Sequence, residues 1–122
     1  MASYNRTQLM GNLVDDPQLR YTPQGTAVAN FSMALNRRKG ETEETTFVDI
    51  VVWGAQAETT AKYKRKGHLI FAEGRLQQDR WPGPDGTQRS KIVMVAERIQ
   101  FLPNGGGVRN QPTGVEEAEE PF

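Results

Sequence analysis

Residues 46–53, TFVDIVVW, carry the pattern that decides the fold. The even positions of this stretch hold β-branched residues, namely Val48, Ile50 and Val52. The odd positions hold Phe47, Asp49, Val51 and Trp53. A period of two is typical of a strand with one face packed on a core. If the β-branched face is inside, two large aromatic side chains with a carboxylate between them lie outside, where bare aromatic surface is costly.

Four further segments are also predicted to be strands, because they are rich in β-branched or aromatic residues or alternate in polarity. These segments are residues 4–14, 26–37, 69–79 and 90–102. Residues 55–65, AQAETTAKYKR, are rich in Ala and end before Lys66–Gly67, which predicts a helix with a glycine stop. A polar tip at 36–45 and the Asp85–Gly86 turn predict hairpins. Five strands with one helix between the third and fourth predict an all-β OB-fold barrel.

The composition changes after Leu102, which predicts a domain boundary. Residues 103–122 contain few apolar side chains, so we expect a disordered tail with a flexible linker at 103–115 and an acidic tip at 116–122. The chain is neutral overall, with 15 basic and 15 acidic residues. Divided at Leu102, the predicted OB-fold domain of residues 1–102 carries a net charge of +3 and the tail −3. Such charge asymmetry is typical of an interaction tail.

Several classes of site are excluded by composition. The chain has no Cys and a single histidine, His68, which excludes disulfides, a Cys nucleophile and a Cys/His zinc site. No apolar run approaches the roughly 20 residues of a membrane span, and the N-terminus has no signal-peptide pattern. We therefore expect a cytoplasmic protein that needs no cofactor or metal and has no membrane partner.

The outward aromatics favour a nucleic-acid surface. Phe47 and Trp53 would be covered either by a neighbouring subunit or loop, or by stacked bases, which contribute about 1–3 kcal/mol each. Trp81 lies in a polar, Gly- and Pro-rich hairpin and favours the second interpretation. Basic residues lie near these aromatics in sequence and would hold a phosphate backbone. They are Arg37, Arg38, Lys39, Arg65, Lys66, Arg75, Arg80 and Arg89, and Lys64 lies beside them.

The residues resemble the bacterial-type single-stranded DNA-binding protein family, including its organelle relatives. The resemblance rests on GNLVDDPQLRY, GTAVANF, FVDIVVWG and RKG in order, then on Glu73–Gly74–Arg75–Leu76, Trp81 and the terminal Pro–Phe. It implies a non-enzymatic homotetramer that coats single-stranded DNA without sequence specificity in replication, recombination and repair. It places the protein at the bacterial nucleoid, with an organelle origin left open. Outward apolar residues such as Val51 and Phe71 also favour an oligomer.

The resemblance assigns stacking to Phe47, Trp53 and Trp81, and recruitment of replication, recombination and repair proteins to the tip. The residues of the tip are Glu116, Glu117, Glu119, Glu120, Pro121 and Phe122. The chain departs from the family at Lys39, where an aromatic is common, and at Glu120, where an apolar residue is common. The first departure implies fewer stacking contacts and more reliance on charge.

Two other functions compete with DNA coating. An OB-fold adaptor of the primosome type would act mainly through protein contacts and would have no reason to keep three surface aromatics. A metal-dependent nuclease would need carboxylates that converge on one site, and the candidates are Asp15, Asp16, Asp49, Asp79 and Glu97. Asp15–Asp16–Pro17 is better explained as a turn, so the nuclease is the weaker hypothesis.

Overall fold

The computed structural model describes residues 2–103, which form six strands and one helix. The strands are β1 (Thr7–Leu13), β2 (Gln18–Tyr21), β3 (Ala27–Lys39), β4 (Thr42–Trp53), β5 (Leu69–Pro82) and β6 (Gln88–Phe101). The helix, α1 (Ala55–Tyr63), lies between β4 and β5, as the sequence predicted. The predicted linker and acidic tip, from residue 104 onward, lie outside the described residues.

The sheet closes into a barrel. Its strand order is β1-β5-β6-β4-β3-β2, and a further pairing between β1 and β3 joins the two sides. All pairs are antiparallel except β4 with β6, which run parallel. The five strands of the closed ring and the helix confirm the predicted OB-fold. A bulge at Glu73/Gly74 bends β5 against β6, and a Cβ on Gly74 would collide with the Val95 carbonyl.

The core is formed by alternate positions of the strands and one side of α1. Ile50 and Val52 have no exposed surface, whereas Phe47 and Trp53 of the same strand are 65% and 48% exposed. The predicted orientation of β4 is therefore confirmed. Phe71 lies between the core residues Ile70 and Ala72 on β5 and opposite the exposed Met10 of β1, so it is on the outer side of the sheet as expected, although it is only 8% exposed.

Two features of the chain differ from the prediction. The four residues of β2 alternate in polarity and pair with β3 at the edge of the sheet, but the strand is short, all four residues are exposed, and it was not predicted. The hairpins are also longer than predicted. Strand β3 pairs with β4 from Val28 up to Lys39, and the turn is made at Gly40, whose φ of 62° favours glycine. Strand β5 continues through Trp81, so this tryptophan lies on a strand.

Candidate nucleic-acid interface

Strand pairing between β3 and β4 defines one side of the barrel surface. Directly opposite residues of an antiparallel pair share a face. Phe47 lies opposite Ala34, Asp49 opposite Ser32, and Trp53 opposite Val28. The odd positions of β4 and the even positions of β3 therefore lie on the outer side of the sheet, where Val28 is the one buried member of the three pairs' six residues.

The same surface continues across β6 onto β5. Val51 is in register with Val95 of β6, and Val95 lies opposite Arg75 of β5. Moving along the β5–β6 hairpin in steps of two reaches Trp81 opposite Arg89. We call this outer surface of β3, β4, β6 and β5 the aromatic face. It brings together the three predicted stacking residues, of which Trp81 is 42% exposed.

Three of the predicted cations lie on the aromatic face, and each lies near a carboxylate. The Arg75 guanidinium is 2.9 Å from Glu97, and the Arg89 guanidinium is 3.8 Å from Asp85. Arg38 lies opposite Glu43 in the β3–β4 register. The side chains of Arg75 and Arg89 are exposed, so their ion pairs add little stability.

Three other predicted cations are placed on the reverse side of the hairpins by the strand register. Arg37 and Lys39 alternate with Arg38, and both lie 3.9 Å from the Glu44 carboxylate. Arg80 alternates with Trp81 and donates a 2.8 Å hydrogen bond to Gln78. The structure does not bring these three together with the aromatics.

The basic end of helix α1 has a different organisation from the predicted cluster. Arg65 donates hydrogen bonds to the carbonyls of Ala61 and Lys64, which satisfies the helix C-terminus. Lys64 is buried, with its ammonium 3.3 Å from the Leu102 carbonyl oxygen, and burial lowers the pKa of its side chain. Lys66 alone points toward the aromatic face, where it lines the groove described next.

A groove of about 790 Å³ runs over this face, and we call it the central groove. It is lined by the apolar residues Phe31, Ile50, Val51 and Val93 together with charged and amide side chains. The lining includes Asp15, Asp16, Gln18, Arg20, Asn30, Ser32, Asp49, Val51, Lys66, Asp79, Lys91 and Val93. Sequence reasoning missed Arg20 and Lys91. The alternation of Arg89, Lys91 and Val93 along the last strand could have identified Lys91, whereas Arg20 needed the unpredicted strand β2.

Asp49 is held at the middle of the aromatic face by two neighbours. Ser32 donates a 2.7 Å hydrogen bond to one carboxylate oxygen, and Lys91 lies 3.0 Å from the other. These two hydrogen bonds, from Ser32 and then Lys91, hold the pKa of Asp49 below its ordinary value of 3.8. The side chain is therefore ionised at neutral pH and acts as a hydrogen-bond acceptor only.

The carboxylates proposed for a nuclease do not form a metal centre. Four of them line the central groove, but no three His, Cys, Asp or Glu side chains within residues 2–103 are placed to hold a metal ion. Asp16 instead accepts a 2.8 Å hydrogen bond from the Lys66 amide, and Glu97 pairs with Arg6 and Arg75.

No helix in the described part of the chain is long and apolar enough to cross a membrane.

An OB-fold barrel with exposed aromatics and cations on one face has the architecture of a nucleic-acid-binding domain. Comparison with known families identifies the chain more closely. The model of the single-strand binding protein family matches residues 4–102, so the chain belongs to this family. Its members bind DNA without enzymatic activity, which agrees with the prediction of a non-enzymatic protein.

Curated bacterial relatives agree with this assignment. Single-stranded DNA-binding protein 3 of Clostridium acetobutylicum is 46% identical over 109 residues, which cover 87% of this chain and 76% of that protein. The single-stranded DNA-binding protein of Bacillus cereus is 44% identical over 121 residues, covering 90% and 71% respectively. The single-stranded DNA-binding protein of Clostridium tetani is 46% identical over 101 residues, covering 80% and 70%.

Proposed function

We propose that this protein coats single-stranded DNA without sequence specificity, by stacking bases on Phe47, Trp53 and Trp81. The observation that carries the proposal is the exposure of all three rings on one continuous face of the barrel. Every base presents a π-face, so stacking of this kind tolerates any sequence and contributes about 1–3 kcal/mol per base.

The cations of the aromatic face would hold the phosphate backbone. Arg38, Arg75 and Arg89 lie on the same side as the rings, and Lys91 joins them from β6. Phosphate contacts from such side chains release counterions, so the affinity should fall steeply as salt is raised. In a duplex the bases are already stacked on one another and their faces are not available to the rings, which favours a single-stranded ligand.

Tryptophan fluorescence tests this proposal, because two of the three rings are indoles. Titration with oligo(dT) should quench the emission strongly, and a duplex of equal length should leave it nearly unchanged. Equal affinity for single-stranded and duplex DNA would overturn the proposal.

We also propose that the acidic tip recruits replication, recombination and repair proteins, with Pro121 and Phe122 entering a pocket of the partner. The support is the charge division of the sequence and the resemblance of its Pro121–Phe122 terminus to that of the family. Deletion of 116–122 should preserve or raise the affinity for oligo(dT), because a competing anion is removed. The full and the truncated chain are each immobilised and exposed to a bacterial lysate. Proteins that the full chain retains and the truncated chain does not would be the partners. An identical set on both chains would contradict this role.

We further propose a homotetramer that lies with the DNA of a bacterial nucleoid, since the chain is similar to bacterial single-stranded DNA-binding proteins. Three apolar side chains on the described strands favour a partner surface, since Met10, Leu76 and Ile92 are 45%, 42% and 58% exposed. Sedimentation equilibrium should give four times the chain mass of 13.7 kDa. A monomer would refute the oligomer without affecting the proposed DNA surface.

A further inference from the structure

Asp49 occupies an unusual position for a carboxylate, in the middle of a surface proposed to bind a polyanion. On β4 it follows Phe47 by two residues and precedes Trp53 by four, on the same face. Two residues of a strand span about 6.8 Å, so Asp49 and Phe47 are neighbours along the same face of β4. A base stacked on the Asp49 side of the Phe47 ring would therefore bring its edge over the carboxylate.

The carboxylate is fixed in place and still open to a ligand. Ser32 on β3 and Lys91 on β6 hold its two oxygens from opposite sides, at 2.7 Å and 3.0 Å. The side chain remains 46% exposed, and each carboxylate oxygen can accept more than one hydrogen bond. Both hydrogen bonds also keep the group ionised, so it presents acceptors and no donor.

Electrostatics alone would disfavour a carboxylate at this position of a DNA-binding surface. The carboxylate repels phosphates, and it pairs with Lys91, which is then less available to a phosphate. An ionised acceptor beside a stacking ring is suited to a donor on the edge of a base. Cytosine presents an exocyclic amine, a donor, where thymine presents a carbonyl oxygen, an acceptor, and carboxylates pair with the cytosine amine in known readout. Cytosine and thymine are both single-ring bases, and apart from the C5-methyl group of thymine they differ at this hydrogen-bonding edge.

We infer that Asp49 is a specificity-determining residue, which accepts a hydrogen bond from the exocyclic amine of a base stacked on the aromatic face. The inference rests on the proposed single-stranded DNA binding and adds a base preference to it. The preference acts at one position of the bound strand, within binding that otherwise tolerates any sequence.

The variant Asp49→Asn tests the inference, because it keeps the size of the side chain and the oxygen that accepts from Ser32. The new amide can donate to the thymine carbonyl. Anisotropy titrations of labelled oligo(dC) and oligo(dT) give the ratio of the two affinities for each protein. We expect the ratio of the oligo(dC) affinity to the oligo(dT) affinity to be at least about fivefold lower for the variant than for the original chain.

Glu44→Gln provides a matched control. It removes one negative charge from a carboxylate that lies near a lysine, Lys39, but on the reverse side of the hairpin. We expect it to shift both affinities by the same factor. If Asp49→Asn unfolds, as judged by circular dichroism, Asp49→Ser is measured in the same way with the same expected loss of preference.

The outcomes separate the inference from the proposed function. An equal shift of both oligonucleotides in the Asp49 variants would overturn the inference and leave the carboxylate as a holder of Lys91. Failure of the original chain to bind either oligonucleotide would overturn the proposed function itself.

Discussion

The two faces of β4 contrast most clearly in this molecule. Ile50 and Val52 are completely buried, while Phe47 and Trp53, which are equally apolar, are about half exposed or more. The inner residues stabilise the barrel by leaving water on folding, whereas the outer rings remain available to a ligand. A shift of one residue in the strand separates the two roles, so each can be altered without the other.

The largest expected effect is on the inner face. Ile50→Ala should lower the free energy of unfolding by about 2–5 kcal/mol, because it leaves a cavity in a fully packed core. The measurement is urea denaturation. Phe47→Ala on the outer face should change the free energy of unfolding by less than about 0.5 kcal/mol. Comparable losses in the two variants would break the distinction between the faces.

The next effect is on the outer face and concerns binding. Trp53→Ala should weaken oligo(dT) binding by about 1–3 kcal/mol, through loss of one stacked base, while the unfolding midpoint stays nearly constant. Tyr63→Ala is the control, since this ring is 57% exposed but lies at the end of α1, where it contacts Phe101. Equal affinity losses for Trp53→Ala and Tyr63→Ala would mean that any exposed aromatic ring contributes to binding, whether or not it lies on the aromatic face.

A smaller effect distinguishes the two sides of the β5–β6 hairpin. Arg89→Gln should reduce the slope of log affinity against log salt by about 1, because one phosphate contact is lost. Arg80→Gln, on the reverse side by strand register, should leave the slope unchanged. Titrations of oligo(dT) at several salt concentrations give both slopes. A larger change for Arg80 would require DNA to follow the reverse side.

The smallest expected effect concerns the contribution of an ionised side chain, Glu73, to the free energy of unfolding of the barrel. Hydrogen bonds, first from Arg6 and then from Gln8, hold the pKa of Glu73 below its ordinary value of 4.5. The ionised form is favoured in the folded state, so its stabilisation is present above pH 4.5 and is lost as the pH falls through the lowered pKa. Glu73→Gln should therefore show a flatter decline of unfolding free energy in acid. Parallel curves for the variant and the original chain would contradict this role.

Sequence reasoning predicted the barrel from five strand segments and one helix, and the orientation of β4 from a face that is purely β-branched opposite a face with two aromatics and a carboxylate. It missed β2, whose four exposed residues form a strand only through pairing with β3. It predicted three outward rings, Phe47 and Trp53 from their positions on β4 and Trp81 from its polar hairpin, and all three are exposed. It could not sort the cations, because the side on which Arg37 or Arg80 lies depends on strand register within long hairpins. Arg65 was also beyond reach, since its hydrogen bonds to helix carbonyls follow from where α1 ends.

The most direct test of the aromatic face removes all three rings together. The variant Phe47→Ala/Trp53→Ala/Trp81→Ala should remain folded by circular dichroism, because none of these side chains is part of the buried core. Fluorescence anisotropy of a labelled oligo(dT) avoids any need for the tryptophans. We predict that the affinity falls by at least about a hundredfold, as expected for the loss of several stacked bases. A folded variant that binds oligo(dT) as tightly as the original chain would contradict the role of this face.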